Sequence, residues 1–120
     1  MAGHSPLQAK AFTAEAAIPK RRIVKFGAAD TGVILAAAAA DTSIGITSEI
    51  AAAIGEVTDV FLLGIADVEY GGPVTRGAKL TSDAAGRAVA ADEGAHVVGF
   101  AMVSGVIGDI GAVFIAQSVM

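Results

Sequence analysis

The stretch that most constrains the fold is residues 57–86, VTDVFLLGIADVEYGGPVTRGAKLTSDAAG. Val57, Val60, Phe61, Leu62 and Leu63, with Ile65 just past Gly64, form a β-branched and aromatic run bounded by Gly55 and Gly64, which predicts a mostly buried strand. Tyr70-Gly71-Gly72-Pro73 then breaks the chain, because glycine reaches positive φ freely and proline fixes φ and lacks a donor. Beyond it, residues 74–80 and 86–90 roughly alternate apolar and polar side chains about a polar tip at 81–85, the period of a half-buried hairpin. The chain is predicted to be β-rich.

The same kinds of element occur on both sides of this stretch. Ile23-Val24-Lys25-Phe26 and Val33-Ile34-Leu35 predict a hairpin about a turn at 28–32, and Ile44-Gly45-Ile46-Thr47 a further strand. Five alanines at 36–40 are too few to hold a helix in water and predict a strand end and loop. Residues 48–54 admit one turn of helix capped by Ser48 or a loop, stopped by Gly55. His96-Val97-Val98-Gly99-Phe100-Ala101 and residues 110–116 read as the last two strands.

Sliding the chain by 54 residues sets Lys25-Phe26 on Lys79-Leu80, Gly32 on Gly86, and Ile44-Gly45-Ile46 on Val98-Gly99-Phe100. After a slip of one residue, Gly55-Glu56-Val57 falls on Gly108-Asp109-Ile110 and Val60-Phe61 on Val113-Phe114. The order is the same in both halves: hairpin, strand with a central glycine, acidic turn, apolar strand. The expectation is an all-β fold, a small β-barrel or sandwich of about eight short strands in two similar halves.

Residues 1–17 lack the order of a signal peptide and read as an extended N-terminal arm, with Leu7 and Phe12 as apolar anchors; residues 18–120 make up the domain. Composition suggests why an arm would be useful. Hydrophobic residues are 54% of the chain and charged residues only 17%, with a mean hydropathy of +0.67. A domain with so few charges has difficulty covering its own surface, which points to burial in an assembly.

Several function classes are disfavoured. A net charge of -4 and a pI near 4.9 argue against a nucleic-acid partner, which requires a basic face. The basic cluster Lys20-Arg21-Arg22 with Lys25 is short and reads as a solvated strand entry or a patch toward an acidic partner. Residues 97–116 have the length of a membrane span, but Asp109 near its middle and glycines at 99, 105, 108 and 111 cut it into strand-length pieces, so no membrane partner is expected.

Catalytic and metal chemistry find no constellation. His4 and His96 are isolated, and the chain has no cysteine. The segment 72–79 has the glycines of a phosphate loop, but Ala78 separates Gly77 from Lys79 and no helix follows. Among the scattered carboxylates only Asp67 and Glu69, i and i+2 on one strand face, are placed to pair, and nothing aims them at a nucleophile. Neither an enzyme nor a cofactor is expected.

Taken together, Ile44-Gly45-Ile46-Thr47, Gly55-Glu56-Val57, Gly64-Ile65-Ala66, Gly71-Gly72-Pro73-Val74, Gly77, Lys79-Leu80-Thr81, Gly86-Arg87-Ala88-Val89 and Val98-Gly99-Phe100-Ala101 resemble the small capsid decoration (cement) proteins of tailed bacteriophages. The resemblance covers roughly residues 18–115. It implies a barrel-like domain, commonly a homotrimer on the outer surface of the head at local three-fold positions, that clamps neighbouring subunits of the major capsid protein. It also implies no catalysis and no cofactor, and a location in the virion after assembly from the host cytoplasm. The longer segment 1–17 departs from the family pattern. Leu7, Phe12, Lys20, Arg21 and Arg22 are the residues expected to face the capsid or a neighbouring subunit. The alternatives are a subunit of another viral shell or tail tube, and a small β-barrel binding module; the module would need exposed aromatics, yet the chain has one tyrosine and no tryptophan.

Overall fold

A computed structural model describes the backbone of residues 5–119 and the side chains of residues 8–117. Among these residues there is no helix. Nine strands follow in order: β1 (Ser5–Ala14), β2 (Ile23–Phe26), β3 (Gly32–Leu35), β4 (Ser43–Thr47), β5 (Val57–Glu69), β6 (Lys79–Ser82), β7 (Ala88–Ala90), β8 (His96–Ala101) and β9 (Ile110–Val119). The predicted all-β class holds. The alanines at 36–40 and residues 48–54 are loop, as their shortness and Gly55 require.

The strands form one sheet that closes on itself. β1, β3, β2, β4 and β5 are neighbours in that order, and β5 pairs back onto β1, which makes a five-stranded barrel. From β5 the sheet continues through β9, β8, β6 and β7. This second set returns to the end of β5 through a parallel bridge between Tyr70 and Ala88, with the Gly71 amide donating to the Ala88 carbonyl at 2.8 Å. Closure satisfies backbone groups that an open edge would offer to other chains.

The expected N-terminal arm is a barrel strand over Ser5–Ala14. β1 runs antiparallel to β5, with Thr13 opposite Val57 and Lys10 opposite Val60, and parallel to β3 at Thr13 and Ala14. A strand needs partners on its edges, and β1 supplies the one that closes the first barrel. Its composition, mixed and alanine-rich, carries no local sign of this.

The two halves repeat pair by pair. Thr13 faces Val57 as Glu69 faces Ile110. Val24 faces Gly45 as Leu80 faces Gly99. Ile46 faces Phe61 as Phe100 faces Phe114. Outside the strands, Ile18 bridges Ala52 as Val74 bridges Gly105. β5 therefore serves twice: its first part is the last strand of the first copy, and its second part is the first strand of the second. The hairpin register differs from the alignment by sequence, since Val24 rather than Phe26 is the counterpart of Leu80. The connection 36–42 is longer than 91–95, and the shift is absorbed there.

Each copy has a core. Phe12, Ala14, Ile18, Val24, Val33, Ala52 and Val60 fill the first. Val68, Tyr70, Val74, Leu80, Val98 and Val113 fill the second, joined by Ile23, Ala36 and Ile46 of the first copy, so that apolar packing as well as β5 unites the halves. Tyr70 is fully buried and donates its hydroxyl to the Val103 carbonyl at 2.7 Å. It takes the place that Ala14 has in the first copy, and two glycines make room for it. A Cβ on Gly105 would lie 2.7 Å from the Tyr70 ring, and one on Gly111 would overlap the hydroxyl. The corresponding first-copy residues are Ala52 and Thr58.

Burial, with the Asp109 carboxylate as a lesser contribution, raises the Tyr70 phenol above its ordinary pKa. A raised folded-state pKa contributes stability that is present in full below the unfolded value near 10 and is lost as pH rises through the folded value. Chemical denaturation at rising pH should therefore show stability falling from about pH 10 upward, and Tyr70→Phe should flatten that alkaline slope. An unchanged slope would mean that other groups carry it.

Candidate contact surface

Two loops are built alike and both carry apolar side chains into solvent. The first, residues 48–56, joins β4 to β5; the second, residues 102–109, joins β8 to β9. Each ends in an Ile-Gly-acid turn, Ile54-Gly55-Glu56 and Ile107-Gly108-Asp109. Gly55 and Gly108 sit at φ of 87° and 88°, the left-handed region where a side chain would be strained. The acid closes each turn. Glu56 Oε1 accepts from the Ala53 amide at 2.7 Å, and Asp109 Oδ2 accepts from the Val106 amide at 3.0 Å.

The loops are pinned to opposite ends of β5. The Gly55 amide donates to the Ala14 carbonyl at 2.7 Å, beside the start of β5, and the Gly108 amide donates to the Tyr70 carbonyl at 2.9 Å, just beyond its end. With the turns' backbone bonded, the tips are held outward on a rigid base. Ile54 is 72% exposed and Ile107 61%, and Ile50, Val57 and Val106 are also exposed. Ile50, Ile54 and Val57 are thus exposed at or beside one loop and Val106 and Ile107 at the other, which makes each loop a candidate contact surface.

The residues expected from the sequence to face a partner are not brought together. Phe12 is buried in the first core, its ring 6.3 Å from that of Phe26 and capped by the Lys10 ammonium. Alternation along β1 turns Phe12 and Ala14 inward. The side chain of Leu7 lies outside the described residues. Arg22 turns toward the protein: Nη1 donates to the Ala85 carbonyl at 2.9 Å, and Nη2 pairs with Glu69 at 3.3 Å. Arg21 is half-buried with φ of 56°, at the position occupied in the second copy by Gly77. Of the cluster, Lys20 is the residue left fully exposed.

The carboxylates and histidines are likewise separated or engaged. Asp67 is buried and its Oδ1 has no hydrogen-bond partner, while Glu69 is shared by Arg22 and Arg87. His96 Nε2 lies 3.0 Å from Gln117 Oε1, and His4 falls outside the described residues. Among the described residues no group of three His, Cys, Asp or Glu side chains is placed to hold a metal ion. Residues 97–116 are most of β8, loop 102–109 and most of β9, and no helix of the described residues is long and apolar enough to cross a membrane.

Ile54 and Ile107 directly precede Gly55-Glu56 and Gly108-Asp109, which the 53-residue offset pairs in the sequence. Repetition of a large aliphatic residue at a turn where glycine and acid fix the backbone was the available signal.

The fold is similar to that of a solved phage protein. The structure of the head fibre gp8.5 N base of bacteriophage phi29 superposes with a TM-score of 0.73 at 20% sequence identity, covering 94% of this chain and 97% of that one. No curated protein sequence matches the chain. The family model for phage cement protein matches residues 5–109, from β1 through the second Ile-Gly-acid turn. That match spans most of the chain, all but β9 of the two copies, and the chain belongs to the phage cement protein family.

Proposed function

We propose that the protein binds the outer surface of a phage head and stabilises the lattice of the major capsid protein, as a homotrimer at local three-fold positions. The observation that carries this reading is the family match over residues 5–109. The composition supports it, because an apolar chain with few charges and exposed aliphatic loops suits broad contacts within an assembly. In this reading Lys20 and Arg21 face the capsid, whereas Phe12 serves the barrel. The protein has a structural role and no catalysis.

The mechanism is mass action. A protein that binds the assembled lattice and not the free subunit stabilises the lattice by RT ln(1 + [L]/Kd), about 2.7 kcal/mol per site at a hundredfold excess over Kd. Summed over many sites, that opposes the outward pressure of packaged DNA. The test is to add the purified chain to heads prepared without it. Electron microscopy should show saturable density on the outer surface at three-fold positions, and the temperature of DNA release should rise. A mass near three subunits by light scattering is expected for the purified chain or for chain released from heads. Heads that remain bare at saturating protein would overturn the proposal.

A further inference from the structure

The two exposed loops are copies of one constellation that includes more than their tips. At the first stand Ile50 and Ile54, with Glu56 closing the turn and Lys20 two residues beyond Ile18, which bridges Ala52. At the second stand Val103 and Ile107, with Asp109 closing the turn and Arg76 two residues beyond Val74, which bridges Gly105. Lys20 and Arg76 are both exposed, and each neighbours its loop: the Arg21 amide donates to the Ser48 carbonyl at 2.9 Å, and the Arg76 amide to Ser104 Oγ at 2.9 Å.

Several core pairs of the two copies keep their apolar character, as Ile18 and Val74 or Val60 and Val113 do, and packing accounts for that; the exposed positions Ile54 and Ile107, Glu56 and Asp109, and Lys20 and Arg76 also keep their chemistry. Packing cannot be the reason there, since Ile54 and Ile107 are 72% and 61% exposed. We infer that the two loops are equivalent docking sites through which one molecule bridges two copies of the same shell subunit. Each subunit would present an apolar hollow with a carboxylate at its rim, facing Lys20 in one case and Arg76 in the other. The inference rests on the head-binding reading above, and it names how the contact is made. The occupant is the shell because a lattice offers an identical receptor at regular spacing. Two like sites fixed at opposite ends of one strand can engage that spacing together, so the second contact forms at high effective concentration. The apolar tips supply the affinity and the exposed cations the orientation.

The full-length chain carrying Ile54→Asp, Ile107→Asp or both is titrated onto heads of the source phage purified without it, with occupancy read by co-sedimentation. Each single change should lower apparent affinity by a similar factor, about 10²-fold to 10⁴-fold, because binding falls from two sites to one. The double change should leave no occupancy at concentrations that saturate the wild type. Both positions are exposed, so thermal unfolding should be unaltered; should an aspartate variant fail to fold, Ile54→Ser and Ile107→Ser serve in its place. Wild-type occupancy by the single variants, or sensitivity at one loop alone, would overturn the inference and leave head binding standing. Bare heads with the wild type would overturn head binding and the inference with it. If the variants instead lose self-association of the free chain, the occupant is a second copy and the inference is overturned.

Discussion

Removal of residues 1–17 should unfold the protein. The deletion takes away β1, and with it the closing partner of both β3 and β5. Phe12 and Ala14 leave the first core, and the bonds between Ala14 and the 48–56 loop are lost. Truncating a buried phenylalanine alone costs about 3–5 kcal/mol, a large share of the roughly 5–15 kcal/mol that holds a domain together. Opening the barrel leaves the β1-facing edge of β5 unpaired along residues 57–65 and exposes the edge of the short β3, which favours aggregation. The measurement is thermal or urea unfolding of the truncated chain followed by circular dichroism. Loss of the cooperative transition is expected. A truncated chain that melts cooperatively within a few degrees of the intact one would mean that β1 is an accessory strand. The consequence for head binding is practical: deletion cannot separate a docking role of this segment from its structural one, so contacts near it must be probed by substitution at exposed positions such as Lys20.

The second large effect is expected at Gly111. Any side chain there meets the Tyr70 hydroxyl and ring, and the tyrosine has nowhere to go because Gly105 lines the same space. Overpacking of this kind typically costs about 1–3 kcal/mol, and displacement of the phenol removes its bond to Val103, a further 0.5–1.5 kcal/mol or about that. Gly111→Val should therefore lower stability by about 2–4 kcal/mol in urea unfolding. The repeat supplies the compensating change. Tyr70→Ala alone leaves a cavity and should cost about 3–5 kcal/mol. The triple variant Tyr70→Ala, Gly105→Ala, Gly111→Thr rebuilds in the second copy the arrangement of Ala14, Ala52 and Thr58 in the first. It should be more stable than Tyr70→Ala, with a clearly non-additive coupling among the three sites. Additive losses would show that the two cores are shaped differently despite their matching registers.

The contrast between these two sites follows from how far apart in the chain the deciding partners lie. The all-β class, the glycine turns and the duplication are local properties. They rest on β-branched runs of strand length, on Gly55 and Gly108 in left-handed turns, and on the same order of elements occurring twice, all legible without knowing what touches what. Even the Ile-Gly-acid pair was present in the alignment by sequence, though its exposure was not.

The use of those elements was settled by closure of the barrel. An alanine-rich segment such as Ser5–Ala14 has no strong preference of its own, and it becomes a strand because β3 and β5 have open edges that only it can fill. Closure then fixes which face is inside, which sends Phe12 to the core rather than to a partner. Arg22 is drawn inward by Glu69 and by the Ala85 carbonyl, both distant in sequence, because a half-buried guanidinium must find acceptors. The sequence by itself determined strands, turns and the repeat, since each depends on neighbours a few residues away. Only the tertiary structure decided that β5 belongs to both copies, that the N-terminal segment is part of the barrel, and that the two matching loops stand at opposite ends of one strand, because strand pairing joins residues with no local signal of each other.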